Sequence, residues 1–260
     1  MTAADLSVIG SDNLLRTYFS LGTASPGSVI SRQEGFDACI GNFDHPICNF
    51  AGRLTLDPWA ANRLVDLAIE RRFFTVYSVP GDSPGTRDVR NEILVRAGFQ
   101  RNYSLQQLYW EPQKVSEGVA LRLAATVAER NTIAMFMASQ FFGRHPASFR
   151  RRVADATSGA TELELYGVYN RFDLVAAVML VEDANVLGLF NLCVKASLQS
   201  RTWGSKVVAE VQQRAYDKGK FISLQCDETL TTWYERQGFE RCDWIDVYGL
   251  SDKRRLAIMN

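Results

Sequence analysis

Past residue 160 the chain is a run of apolar segments cut by short polar breaks, and their lengths predict the elements. Residues 163–169 read as a strand. Residues 174–181 and Val186–Val194 are apolar runs separated only by Glu182-Asp183-Ala184-Asn185, the pattern of an antiparallel hairpin. Val207, Val208, Val211 and Ala215 then recur at helical spacing, and Lys218-Gly219 supplies a stop. Phe221–Cys226 (FISLQC) has the composition of a buried strand. Leu230, Trp233 and Tyr234 belong to a short helix ending at Gly238, and residues 239–250 supply one or two closing strands. Upstream, residues 119–125 predict an opening strand. Residues 126–142 predict a helix with Ile133, Phe136, Met137 and Phe141 along one side, and Pro146 starts another with Phe149 and Val153 inward.

The N-terminal half repeats the end of that order. Pro58 opens a helix running to Arg71-Arg72, residues 73–79 read as a strand, and residues 88–97 as a helix. Arg96-Ala97-Gly98-Phe99-Gln100-Arg101 then parallels Arg236-Gln237-Gly238-Phe239-Glu240-Arg241, an offset of 140 residues. Embedded in a shared order of helix, strand and helix, this match indicates an internal duplication. The polar stretch 111–118 is the expected linker, which divides the chain into domains 1–112 and 118–260. The expected class is α/β (α+β): two mixed, mostly antiparallel sheets flanked by helices, in tandem.

Composition narrows the function classes. Hydrophobic residues make up 47% of 260, the range of a folded globular chain. Twenty-nine basic and 29 acidic residues cancel, so bulk charge favours neither nucleic acid nor an anionic membrane. The N-terminus carries Asp5 and Asp12 and no basic segment before an apolar run, and the apolar run 174–181 is too short to span a bilayer. The expected location is the cytoplasm. Five dispersed cysteines without a CxxC pair are expected as reduced thiols, Cys193 and Cys226 among them inert in apolar strands. Cys39, His45 and Cys48 lack a fourth ligand at zinc-like spacing, so no metal is expected. His145 reads as a turn residue, and Arg144, Arg150, Arg151 and Arg152 as a solvated face.

The chemistry concentrates where the strand ending at Val194 meets the helix near Gly204. The first N–H groups of a helix have no intrahelical partner, and with the positive end of the helix dipole they seat a phosphate. Gln199-Ser200-Arg201-Thr202-Trp203-Gly204 follows Val194 at this join. A phenol, Tyr234, stands four residues before Gly238. One anion seat and one phenol point to acyl transfer from a pyrophosphate-bearing carrier.

At these residues the chain resembles the GNAT superfamily of acyl-CoA-dependent N-acyltransferases, in tandem form. The family's loop, [Q/R]-x-x-G-x-[G/A], aligns with residues 199–204, which read QSRTWG. Its later pattern, N-x-x-A-x-x-L-Y-x-x-x-G-F, aligns with residues 227–239, which read DETLTTWYERQGF. The resemblance implies acetyl-CoA or another acyl-CoA as cosubstrate, with Cys193, Val194, Gln199, Ser200, Arg201, Thr202, Trp203, Gly204, Ser205 and Asp227 at its site. It further implies a strand ending at Val194 that splays from its neighbour to receive the pantetheine arm. An N–H near Cys193 or Val194 would then polarise the thioester carbonyl, and Tyr234 would protonate the departing thiolate. Glu164 is the residue expected to steer the acceptor amine or its proton. Thr202 departs from the family's first Gly, Asp227 from its Asn and Leu230 from its Ala. The resemblance implies a primary amine of a small molecule or peptide as the acceptor, and a homodimer is compatible with the family. A non-catalytic acyl-CoA sensor and a ligand-free scaffold are the alternatives.

In the first half, Leu94 stands where Tyr234 stands in the second. The turn 54–59 has neither the Gln/Arg nor the Gly, and Pro58 lacks an N–H. This half is expected to have no carrier site and to serve in packing and in shaping the acceptor pocket.

Overall fold

The computed structural model describes residues 1–71, 73–81, 85–115, 117–199, 202–252 and 254. In chain order the first elements are α1 (Ala3–Ala24), β1 (Val29–Gln33), β2 (Phe36–Ile40), β3 (Asn49–Gly52), α2 (Pro58–Glu70), β4 (Thr75–Ser78), α3 (Thr86–Ala97) and β5 (Phe99–Trp110). There follow β6 (Arg122–Leu123), α4 (Val127–Phe141), α5 (Ala147–Gly159), β7 (Glu164–Asn170), β8 (Asp173–Glu182) and β9 (Val186–Val194). The chain ends with α6 (Trp203–Asp217), β10 (Phe221–Cys226), α7 (Glu228–Glu235) and β11 (Glu240–Leu250).

Two compact units result, Met1–Gln107 with Cys242–Asn260, and Leu108–Arg241. The linear division at residues 112–118 therefore differs from the compact one by the closing strand. β11 pairs antiparallel with β4, Asp246 opposite Ser78 and Tyr248 opposite Val76, and so satisfies a strand edge more than 160 residues upstream. Nor is the 111–118 stretch a free tether. Val115 and Val119 pack on the core of the second unit, and a Cβ at Gly118 would stand 2.5 Å from the backbone nitrogen of Glu210.

In the first unit the strand order is β1-β2-β3-β4-β11-β5, parallel at β3–β4 and antiparallel at β1–β2, β2–β3 and β4–β11. α2 and α3 bury Leu64, Ala68 and Leu94 against Phe74, Val76 and Phe99. α1, β1, β2 and β3 have no counterpart in the sequence reading. α1 buries Ser7, Gly10, Ser11, Asn13 and Thr17 beside Leu6, Leu14 and Leu15, so its inward stripe is half polar and lacks an apolar signature.

The second unit is ordered β10-β9-β8-β7-β6, parallel at β9–β10 and antiparallel at β8–β9, β7–β8 and β6–β7. β8 and β9 are nearly continuous apolar runs because both faces are covered: Val178, Leu180, Leu187 and Leu189 join Val207, Val208, Val211 and Ala215 of α6 in one core. The expected opening strand shrinks to β6, two residues long. On α4, Ile133 and Met137 are buried as expected, whereas Phe141 is 49% exposed.

The two units share a local plan. Gly98 and Gly238 end their helices at φ 100° and 85°, a left-handed stop that favours glycine, and Phe99 and Phe239 behind them are both buried. α2 joins the parallel pair β3–β4 as α6 joins β9–β10.

Candidate functional site

The second unit opens a gap between its two parallel strands. β10 pairs with β9 through Phe221–Val186, Ile222–Leu187 and Ser223–Gly188, and the ladder stops there, leaving the last six residues of β9 without β10. On its other side β9 carries a bulge. Met179 opposes Phe190 and Ala177 opposes Cys193, so two residues, Asn191 and Leu192, face one, and Asn191 takes φ 50°. Asn tolerates that region better than branched residues do, and the bulge turns the strand end.

Alternation then selects one backbone donor. Lys195 gives its N–H to the Val175 carbonyl at 2.9 Å, and Cys193 stands opposite Ala177. Hydrogen-bonded positions alternate along an antiparallel pair, so Val194, opposite Ala176, turns its N–H and C=O away from β8, toward the edge that β10 has left. The Val194 carbonyl accepts from Gln199 Nε2 at 3.3 Å, which folds the loop back on the strand. Gln140 Oε1, from the end of α4, accepts from the Ala196 N–H at 3.1 Å and holds the start of the same loop.

The loop ends at Thr202, the residue in the first Gly position, with φ 46° and ψ −8°. A threonine adopts here the left-handed conformation that glycine takes freely, at a cost of about 1–2 kcal/mol. Its side chain makes no capping hydrogen bond, and the first intrahelical bond runs from Lys206 N–H to the Thr202 carbonyl. The N–H groups of Trp203, Gly204 and Ser205 thus begin α6 without intrahelical partners. No acidic residue stands in that first turn, and Lys206 follows it, so the positive end of the dipole is reinforced rather than neutralised. Gly204 serves close approach: a Cβ there would meet Trp233 Cζ2 at 3.2 Å, which lets the indole of α7 lie on the start of α6.

A cavity of about 610 Å³ occupies this place. Cys193, Val194, Gln199, Thr202, Trp203, Gly204, Ser205 and Tyr234 all line it, so most of the residues singled out in the sequence converge on one space. Gln140, Phe141, Leu192, Leu198, Leu230 and Trp233 complete the wall. None of these six belongs to the residues singled out as ligand contacts. Trp233 and Leu230 lie inside the matched 227–239 pattern, but Gln140 and Phe141 arrive from α4 by tertiary packing alone. Ser200 and Arg201 lie outside the described residues.

Tyr234 is 7% exposed, its ring edge-on to Trp233 at 4.7 Å and to Phe239 at 5.5 Å. Burial, with a smaller contribution from Cys226, raises its pKa far above that of a free phenol, so the hydroxyl keeps its proton. Cys193 is pushed up to about 12 by burial, with a backbone hydrogen bond from Ala177 opposing, and is an inert thiol at neutral pH.

Two expected residues stand elsewhere. Asp227 caps α7, its Oδ1 accepting from the Thr229 N–H at 2.9 Å, and that bond lowers its pKa; it is absent from the cavity wall. Glu164 opposes Leu180 at the far end of β7, whereas Val168 is the residue opposite Ala176 and hence in line with Val194. Four residues of strand put Glu164 about 13 Å further along the sheet. There it accepts from the Tyr166 hydroxyl at 2.9 Å and lies outside the cavity wall. The sheet register, which sequence cannot supply, decides this. Among the described residues no group of His, Cys, Asp and Glu is placed to hold a metal ion, and no helix is long and apolar enough to cross a membrane.

The equivalent place in the first unit is filled. The β3–β4 ladder is also short, and Arg90 of α3, 7% exposed, donates from Nη1 to the Leu54 carbonyl at 3.1 Å and from Nη2 to the Val79 carbonyl. Its guanidinium bridges the two strand ends where they diverge.

No protein-family model and no curated protein matches the sequence. Solved structures do match the fold. A GCN5-related N-acetyltransferase from Kribbella flavida is similar over 95% of both chains, with a TM-score of 0.63 at 16% identity. A tandem GNAT protein from the clavulanic acid biosynthesis pathway covers 87% of this chain and 85% of its own, with a TM-score of 0.54 at 13% identity. A functionally unknown conserved protein from Staphylococcus epidermidis covers 86% and 94%, at 0.57 and 15%. The chain has the GNAT fold in tandem form.

Proposed function

We propose that the second unit binds acyl-CoA and transfers an acetyl or other short acyl group to a primary amine by direct attack. One observation carries the reading: a single cavity runs from the uncapped start of α6, past the outward-facing N–H of Val194, to the protonated hydroxyl-bearing ring of Tyr234. The diphosphate takes the N–H groups from Trp203 to Ser205. The pantetheine arm adds to the edge of β9 that β10 leaves, as a peptide adds to a sheet.

The amine nitrogen attacks the thioester carbonyl carbon, forming the C–N bond and an oxyanion that accepts from Val194 N–H. The C–S bond breaks and the thiolate takes the proton of Tyr234, which is restored from solvent. The proton on the new ammonium leaves to water, because the described cavity wall carries neither carboxylate nor imidazole. That same wall favours a second reading, a carrier-binding sensor without turnover.

Thiol release from acetyl-CoA with a panel of amines separates the two. Tyr234→Phe is expected to lower kcat by about 10²–10⁴-fold while leaving CoA affinity unchanged. Tight binding with no release across the panel supports the sensor instead, and absence of binding at millimolar CoA overturns both.

A further inference from the structure

α4 brings one polar side chain to the end of β9. Ile133, Met137 and Gln140 share a helix face, so the two buried apolar residues seat the helix and turn Gln140 toward the sheet. The Gln140 amide takes the Ala196 N–H at 3.1 Å. A backbone N–H can meet only the oxygen of an amide, which fixes the orientation of the group. Oε1 lies on Ala196, and Nε2 is left with its N–H donors. Nε2 has no partner among the described residues, and Gln140 lines the 610 Å³ cavity.

Backbone alternation puts that amide on the same side as the Val194 N–H. Lys195 is extended, with φ −48° and ψ 128°, and gives its N–H to Val175 on β8. The N–H groups flanking it, those of Val194 and Ala196, therefore both turn away from β8, toward the edge that β10 has left. Along extended chain they stand about 6–7 Å apart. An oxygen about 2.9 Å from the Val194 nitrogen is thus within reach of an amide held beside Ala196. The other side-chain amide and hydroxyl donors of the described wall are otherwise placed. Gln199 Nε2 bonds the Val194 carbonyl, Thr202 and Ser205 stand at the start of α6, and Tyr234 serves the leaving thiolate.

We infer that Gln140 Nε2 is a second donor to the acyl carbonyl oxygen, completing with the Val194 N–H a two-donor oxyanion site. The strand supplies one donor and the helix the other, so the packing of α4 on β9 sets their spacing. No bond to Gln140 forms or breaks. As the amine adds to the carbonyl carbon, the π pair moves onto oxygen, which accepts from both donors, and collapse expels the thiolate. The inference rests on the transferase reading for the identity of that oxygen, and its test separates the two.

Gln140→Glu is the discriminating variant, because its carboxylate still accepts from the Ala196 N–H but donates nothing. With acetyl-CoA isotope-labelled at the carbonyl carbon and bound to the full chain, the infrared C=O band is expected at lower frequency in wild type than in Gln140→Glu. With an amine that wild type acylates, kcat of the variant is expected to fall about 10²–10³-fold. Its affinity for CoA, which has no thioester carbonyl, should be unchanged. Gln140→Met gives up the Ala196 bond as well and should in addition weaken CoA about 2–10-fold. A band that does not move, or an undiminished kcat, overturns the second donor and leaves the transferase reading standing. Wild type that binds acetyl-CoA but releases thiol with no amine overturns the transferase reading alone, and the band then decides the contact. Absence of acetyl-CoA binding at millimolar concentration overturns both.

Discussion

Arg90 and Leu230 occupy equivalent helix positions, separated by the same 140 residues that relate Gly98 to Gly238, and they decide opposite outcomes for the two units. Arg90 spans the diverging strand ends and bonds the Leu54 and Val79 carbonyls. Leu230, 48% exposed, has no polar group to do so and leaves the gap in its own unit as a cavity wall. Arg90→Leu should therefore destabilise the first unit by about 2–3 kcal/mol, because two buried carbonyls lose a charged donor. Urea unfolding measures this, and a change within about 0.5 kcal/mol would show the guanidinium to be dispensable.

Tyr234, Tyr18 and Tyr77 share one titration behaviour. Burial raises the pKa of each well above the free value near 10. A raised phenol pKa gives stability that is complete below the unfolded value and is lost as pH climbs toward the folded one. Denaturant midpoints should hold steady from pH 7 to 9 and fall above about pH 10. If Tyr234 is the acid, the rate profile should show no alkaline limb below that point. A limb at pH 8 would assign the proton to another group.

Thr202 is strained in a way a single substitution relieves. Thr202→Gly removes a left-handed penalty of about 1–2 kcal/mol and adds about 0.5–1 kcal/mol of glycine entropy cost, for a net gain between zero and about 1.5 kcal/mol. Thermal unfolding should move upward slightly, with CoA affinity retained because the N–H donors are main-chain. Loss of affinity would mean that the Thr202 side chain itself holds the ligand.

The buried thiols give a simple chemical test. Burial pushes Cys39, Cys193 and Cys242 up to about 12 and raises Cys226. Iodoacetamide at pH 8 should label the native chain very slowly and all five cysteines after unfolding. Rapid native labelling at Cys193 would make it a nucleophile in the cavity and displace the direct-attack scheme.

Much of the second unit was legible because its elements carry their signals locally. The β8–β9 hairpin is two apolar runs around a turn, α6 is a helical stripe with a glycine stop, and Tyr234 sits at fixed spacing from Gly238-Phe239. These depend on neighbours a few residues apart. α1 stayed hidden because its buried stripe is half serine, threonine and asparagine, whose partners are supplied only by the folded unit.

What the amino-acid order determined alone was the run of elements in the second unit, the doubled plan and the loop and phenol that meet at the cavity. Tertiary structure alone decided that β11 closes the first unit, that Glu164 lies a strand's length from Val194, that Gln140 and Phe141 reach the cavity from α4, and that Arg90 fills one gap while its counterpart stays open. Register, strand exchange and the packing of one helix on another join residues far apart in sequence. Local periodicity carries no record of which of them will meet.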